Sequence, residues 1–189
     1  GSTLDLSIES AEIGRWLQLA GRPEQPVGPL ELAGSVRVDE RGLLSIDATA
    51  RQDGTLFEAR GPLGPLNGPY EPDLDVRFES ENPTRLAAAA GLERFPSRPV
   101  RLQGHVTKKG KLLTVRNFDA WLGPHHAFAD GTIVLDREFR GSELELSLEI
   151  PNLAEFGALF ERPGLPAEAL RIDVLLWPDG PGLGFDVSK

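Results

Sequence analysis

Three segments of this chain repeat one pattern in one order. LDLSIES, LDVRFES and LELSLEI begin at positions 4, 74 and 144, an offset of 70 on both occasions. The same offset carries Pro26 to Pro96 and Pro166, Leu30 to Val100 and Leu170, Leu32 to Leu102 and Ile172, Gly34 to Gly104, and Val36 to Val106. Ala59-Arg60-Gly61 is answered by Ala129-Asp130-Gly131, and Leu63 by Ile133. Self-similarity at a fixed period marks a repeated supersecondary unit, and it limits the fold before any single residue is weighed. The sequence divides into a lead-in at 1–3, a first unit at 4–73, a second at 74–143 and a truncated third at 144–189. Gly1-Ser2 reads as the scar of a removed affinity tag. The expected organisation is one continuous sheet rather than independent domains.

Each unit opens on strict alternation. Leu4, Leu6 and Ile8 are apolar with Asp5, Ser7 and Glu9 between them, which at a period of two gives a strand one apolar and one polar face. A helical passage follows. At 11–20, Ile13, Trp16, Leu17 and Ala20 form a stripe that Gly21 can end. In the second unit Asn82-Pro83 offers a cap and a first-turn proline before a run of alanines at 87–90. In the third, Pro151-Asn152-Leu153 leads into Phe156, Leu159 and Phe160.

A second alternating strand carries Leu30, Leu32, Gly34, Val36 and Val38, turns at 39–42, and continues into a third with Leu44, Ile46, Ala48 and Ala50. The counterpart of the third strand is 113–120, after a turn at 108–110. Asp53-Gly54 predicts a hairpin into a fourth strand at 55–63, matched by 128–135. The Gly- and Pro-rich stretch at 61–72 reads as a connector inside the sheet, where prolines suit a strand end. The fold class is therefore mainly β with short helices, built from strand, helix and meander.

Composition removes several functions. With a net charge of −9 the chain lacks the clustered Lys and Arg that a phosphate backbone requires, so no nucleic-acid partner is expected. Lys108, Lys109 and Lys111, the nearest basic cluster, fall at a predicted hairpin tip. There is no cysteine, which excludes a disulfide framework, a thiolate nucleophile and Cys-ligated metal. No apolar run reaches the length of about 18 residues that a membrane-spanning helix needs.

Catalytic chemistry finds little to stand on. His125 and His126 are adjacent, and neighbours on a strand point to opposite faces, so the two cannot share a metal there. They occupy the hairpin equivalent to 52–54, where a polar loop is the ordinary reading. The carboxylates alternate with apolar residues along predicted strands, whereas general acid and base work needs them convergent in a pocket. No nucleophile elbow, phosphate loop, HExxH or dinucleotide fingerprint is present. Neither enzyme activity, metal site nor cofactor is expected.

The order of these elements resembles a known family. LDLSIES, a helix with a leucine-rich stripe, QPVGPLELAGSVRVDERGLLSID, and a strand closing on FEARGPL are similar to the repeated segment of AsmA-like bacterial envelope proteins, the AsmA, TamB and YhdP type. The likeness spans essentially the whole chain and lies in the ordered pattern, P-x-x-P/V-x-L-x-L-x-G-x-V after the helix above all. The recurrent helix places it with the AsmA-like rather than the more uniformly stranded TamB-like form.

That resemblance implies a periplasmic β-structure of the Gram-negative envelope. Its sheet would be elongated and curved into a half-pipe, or β-taco, with an apolar inner surface, and its parent anchored in the inner membrane by an N-terminal helix. It also implies lipid transport and outer-membrane lipid homeostasis, with phospholipid or another acyl-chain lipid as the partner. The groove candidates are Leu6, Ile8, Leu32, Val36, Ile46, Phe57, Val76, Phe78, Leu102, Val106, Val115, Leu146, Leu148, Ile172 and Val174. Two other readings stay open at this point. Such alternation also builds the core side of a closed sandwich or a helix-covered sheet, and a repeated sheet can act as a structural spacer whose open edges pair with other chains, copies of itself included.

Overall fold

The alternating segments form strands, joined by turns that the local sequence dictates. A computed structural model describes residues 1–10, 29–89, 95–135, 141–179 and 182–188; the stripe expected at 11–20 lies outside them. The strands are β1 (Ser2–Ser10), β2 (Leu30–Val38), β3 (Leu43–Gln52), β4 (Thr55–Pro65), β5 (Asp73–Ser80), β6 (Val100–Lys109), β7 (Leu112–Leu122), β8 (His125–Val134), β9 (Glu143–Ile150), β10 (Leu170–Asp179) and β11 (Gly182–Ser188). Helix α1 (Thr84–Ala89) follows β5, and α2 (Leu153–Leu159) follows β9. The protein is mainly β: these strands make one open sheet whose spatial order is the order of the chain, β1 to β11 without a crossover.

Every neighbouring pair is antiparallel, and the turns explain the registers. Gln52 opposes Thr55, leaving Asp53 and Gly54 as a two-residue loop with φ of 46° and 72°, the conformation that Asp-Gly favours between right-twisted strands. At the β2–β3 turn the Asp39 carboxylate accepts from the amides of Arg41 and Leu43, each at 2.8 Å, an Asx-type closure. Both described helices start as their sequences direct. Asn82 Oδ1 accepts from the Thr84 hydroxyl at 2.7 Å, and Asn152 Oδ1 from the Glu155 amide at 3.2 Å.

The ladder is interrupted in β3–β4 between Leu44 and Ser45, in β6–β7 between Gln103 and His105, and in β7–β8 between Val115 and Phe118. Such bulges bend a strand and increase its twist. Gly61 and Gly131, one period apart, hold φ of 140° and 141°, and a Cβ on either would collide with a backbone carbonyl oxygen of the next strand, that of Asp73 or Glu143. Only glycine allows the backbones to approach so closely there.

Extensive contacts run only between strands adjacent in the sheet. Among the described residues no second layer covers either face. Among the described residues the buried aliphatic side chains are Ala59, Ala87, Val100 and Ile150, and no large side chain is fully buried. Val100 and Ile150 sit at the strand ends nearest the helices, where α2 lays Phe156 edge-on against His125, ring centroids 5.0 Å apart.

Candidate functional site

Directly opposed residues of an antiparallel ladder lie on the same face, so the registers assemble the alternating residues into rows that cross the sheet. The first runs Ile8, Leu32, Ala50, Phe57, Phe78, Leu102, Ala120, Ala127, Leu148 and Ile172. A second runs Leu6, Gly34, Ala48, Ala59, Val76 and Gly104, and resumes past the bulge at Phe118 with Ala129, Leu146 and Val174. The third joins Leu4, Val36, Ile46 and Gly61, then Leu74, Val106, Val115, Gly131, Leu144 and Leu176.

All the apolar positions named from the sequence fall in these rows. In the first stand Ile8, Leu32, Phe57, Phe78, Leu102, Leu148 and Ile172; in the second Leu6, Val76, Leu146 and Val174; in the third Val36, Ile46, Val106 and Val115. None of them is buried. Leu6, Ile8 and Phe57 keep 41%, 47% and 44% of their surface exposed, and the rest are half-buried. In the middle row Gly34, Ala48, Ala59, Gly104 and Ala129 are small, and the 70-residue offset pairs Gly34 with Gly104 and Ala59 with Ala129.

The apolar face has a polar end on the side of the helices. Its terminal row contains Thr55, Ser80, Val100, Leu122 and His125, of which all but Leu122 are buried. The hydroxyls of Thr55 and Ser80 satisfy one another at 2.8 Å. His125, expected in a loop, instead opens β8 and is only 3% exposed beneath Phe156. The correction has a simple cause: β8 begins immediately after Pro124, and α2 folds back over its first residue. Among the described residues Nδ1 of His125 has no hydrogen-bond partner. Burial and the Arg98 charge hold this imidazole below its ordinary pKa, against the opposing pull of Glu155.

His126 takes the other face, as strand alternation requires. Its ring stacks on Trp121 with centroids 4.9 Å apart, and Nε2 lies 2.7 Å from Asp119. The opposed residues Glu79, Arg101, Trp121, His126, Glu149 and Arg171 make a cross-strand ladder here. Arg101 meets Glu79 at 2.8 Å and stands 5.9 Å from the Trp121 ring centre; Arg171 meets Glu149 at 3.0 Å. Hydrogen bonding from Arg77 holds the Glu79 carboxyl below the usual carboxylate range, with Arg101 adding to it. The Ser147 hydroxyl, followed by Arg171, does the same for Asp173.

Further along this face His105 lies between Asp75, at 2.9 Å, and Asp73, and hydrogen bonding to Asp75 raises its pKa. Exposed pairs of this kind contribute at most about 1 kcal/mol each and mainly keep the face wet. A cleft of about 780 Å³ opens at the helix-side ends of the central strands, lined by Arg51, Thr55, Glu79, Ser80, Arg101 and Trp121 among others. Among the described residues no group of three or more His, Asp or Glu side chains converges on a metal-sized site, and no helix is long and apolar enough to cross a membrane. The chain matches no family model, no curated protein and no solved structure, so the functional reading rests on the repeat and on this two-faced sheet.

Proposed function

We propose that this protein is a lipid-handling module of the bacterial envelope, which holds phospholipid acyl chains against the apolar face of its sheet. The observation that carries the reading is the unbroken apolar row from Ile8 to Ile172, uncovered by any described element and lacking the buried large side chains that a closed core would show. A sheet with one dry-seeking face and one charged face needs an apolar partner on the first. Acyl chains suit such a face because they are thin, flexible and indifferent to sequence. Each methylene withdrawn from water contributes about 0.8 kcal/mol, so half of a chain of about sixteen carbons contributes roughly 6 kcal/mol. That magnitude retains a lipid yet lets it move.

The finer architecture belongs to the same proposal. Repeated units of strand, helix and meander form a half-pipe, its concave side lined by the three apolar rows and its bending provided by the bulges and by Gly61 and Gly131. The resemblance to AsmA-like proteins supports a periplasmic location, a parent anchored in the inner membrane, and a contribution to outer-membrane lipid homeostasis by binding rather than catalysis. Native mass spectrometry of the chain after incubation with phospholipid vesicles tests it: bound phospholipid is expected, and its loss in Phe78→Asp with the fold retained. A wild-type chain that stays lipid-free under these conditions would overturn the reading.

A further inference from the structure

The registers set one charge on the apolar face. Among the residues that the pairings of β1 to β10 place there, Lys108 is the single Asp, Glu, Lys or Arg. The turn expected at 108–110 is shifted: Lys108 and Lys109 belong to β6, and Lys109 opposes Leu112, so Gly110 and Lys111 alone make the turn. Lys108 follows Val106 at a period of two, stands opposite Leu113, and donates its backbone amide to the Pro72 carbonyl at 2.8 Å. Its side chain therefore rises from the apolar face at the end away from the helices. One period earlier the same position is Val38, so the repeat itself needs no charge there.

Lys108 is half-buried. Among the described residues no carboxylate pairs with it, whereas Arg60, Arg77, Arg101 and Arg171 on the opposite face each meet one. A lysine in such a place lays its stem on apolar surface and holds its ammonium where that surface ends. We infer that Lys108 is a headgroup site, its ammonium holding the phosphate of a phospholipid whose acyl chains lie along Val106 and Leu102. The inference rests on the proposed lipid binding and adds the end of the face at which headgroups sit. Lysine meets phosphate oxygens as a compact point charge without a fixed geometry, which suits a ligand held mainly by its chains. From Lys108 to Leu102 the strand runs about 20 Å, so a chain anchored at its head stays on the apolar rows.

Native mass spectrometry separates this site from the binding of acyl chains alone. Phosphatidylglycerol and diacylglycerol with the same chains, offered in neutral detergent, differ in the phosphoglycerol and in nothing else. The wild type is expected to hold phosphatidylglycerol about tenfold more tightly, as one charge-assisted hydrogen bond provides. Lys108→Val, which installs the first unit's residue, removes that preference and keeps diacylglycerol binding. Lys108→Arg retains the preference, and Lys109→Val, on the other face, leaves it unchanged. An equal preference in wild type and Lys108→Val overturns the inference while acyl-chain binding stands. Release of the bound lipid by millimolar inorganic phosphate overturns it too, since the site would then be one for the free anion. A wild type that binds neither lipid removes the proposed function and this site together.

Discussion

Phe57 and Phe78 stand directly opposite one another across β4 and β5, on the face where no described element covers them. Cross-strand aromatic pairs contribute roughly 0.2–1 kcal/mol, far less than an aromatic ring contributes when fully buried. Phe57→Asp is therefore expected to lower phospholipid occupancy by about tenfold while reducing stability by about 1 kcal/mol. Titration with phospholipid vesicles and urea unfolding of one preparation separate the two effects. A loss of several kcal/mol would show that the ring serves a core.

The two faces carry histidines of opposite sign. For His125 the folded-state pKa is depressed below 6.5, so the unfolded chain binds more protons. The stability this provides is present above about pH 6.5 and lost as pH falls through the folded value. In a thermal series from about pH 8 to pH 5, His125→Leu should flatten the acid-side decline.

His105 works the other way. Its folded-state pKa is raised above 6.5, so its contribution is fully present below about pH 6.5 and lost as pH rises through the folded value. Asp75→Asn removes its largest cause, and NMR titration of the ring should then return toward the ordinary value.

Gly131 occupies a backbone region closed to residues with side chains, and Gly61 repeats it one period earlier. Gly131→Ala must move the Glu143 carbonyl or abandon the φ, at a cost of about 2 kcal/mol or more. Denaturant midpoints of Gly131→Ala and Gly61→Ala should fall together. Tolerance of both would mean the close approach of β4 to β5 and β8 to β9 is not needed.

Asn152→Ala removes the N-cap of α2 and is expected to cost about 1 kcal/mol. Because α2 places Phe156 on His125, fraying the helix also rehydrates the imidazole. Its titration should move up toward 6.5, a change that a purely local loss of helix would not cause.

Much of this sheet was legible because alternation and turn chemistry are short-range. Asp53-Gly54 marks a two-residue hairpin, Asn82 and Asn152 mark helix starts, and every second residue of LDLSIES and its copies marks a face. What escaped depends on neighbours. Leu113, Val115, Phe118, Ala120 and Leu122 break the period of two at Asn117, whose φ is 46°; that slip was the available sign of the bulge, and a uniform strand was read instead. His125 looked like a loop residue because nothing local announces that Phe156, three decades along the chain, returns to cover it. Trp121 passed unremarked because its partners, Arg101 and His126, come from flanking strands.

The chain order of the strands has a mechanical meaning. Among the described residues each strand is held only by the one before and the one after, so tension applied at the two termini should peel the sheet from an edge, strand by strand, rather than break it at once. The same architecture lets a growing chain lay down each strand on the one just synthesised. Such a protein can lengthen without any earlier part having to be rebuilt.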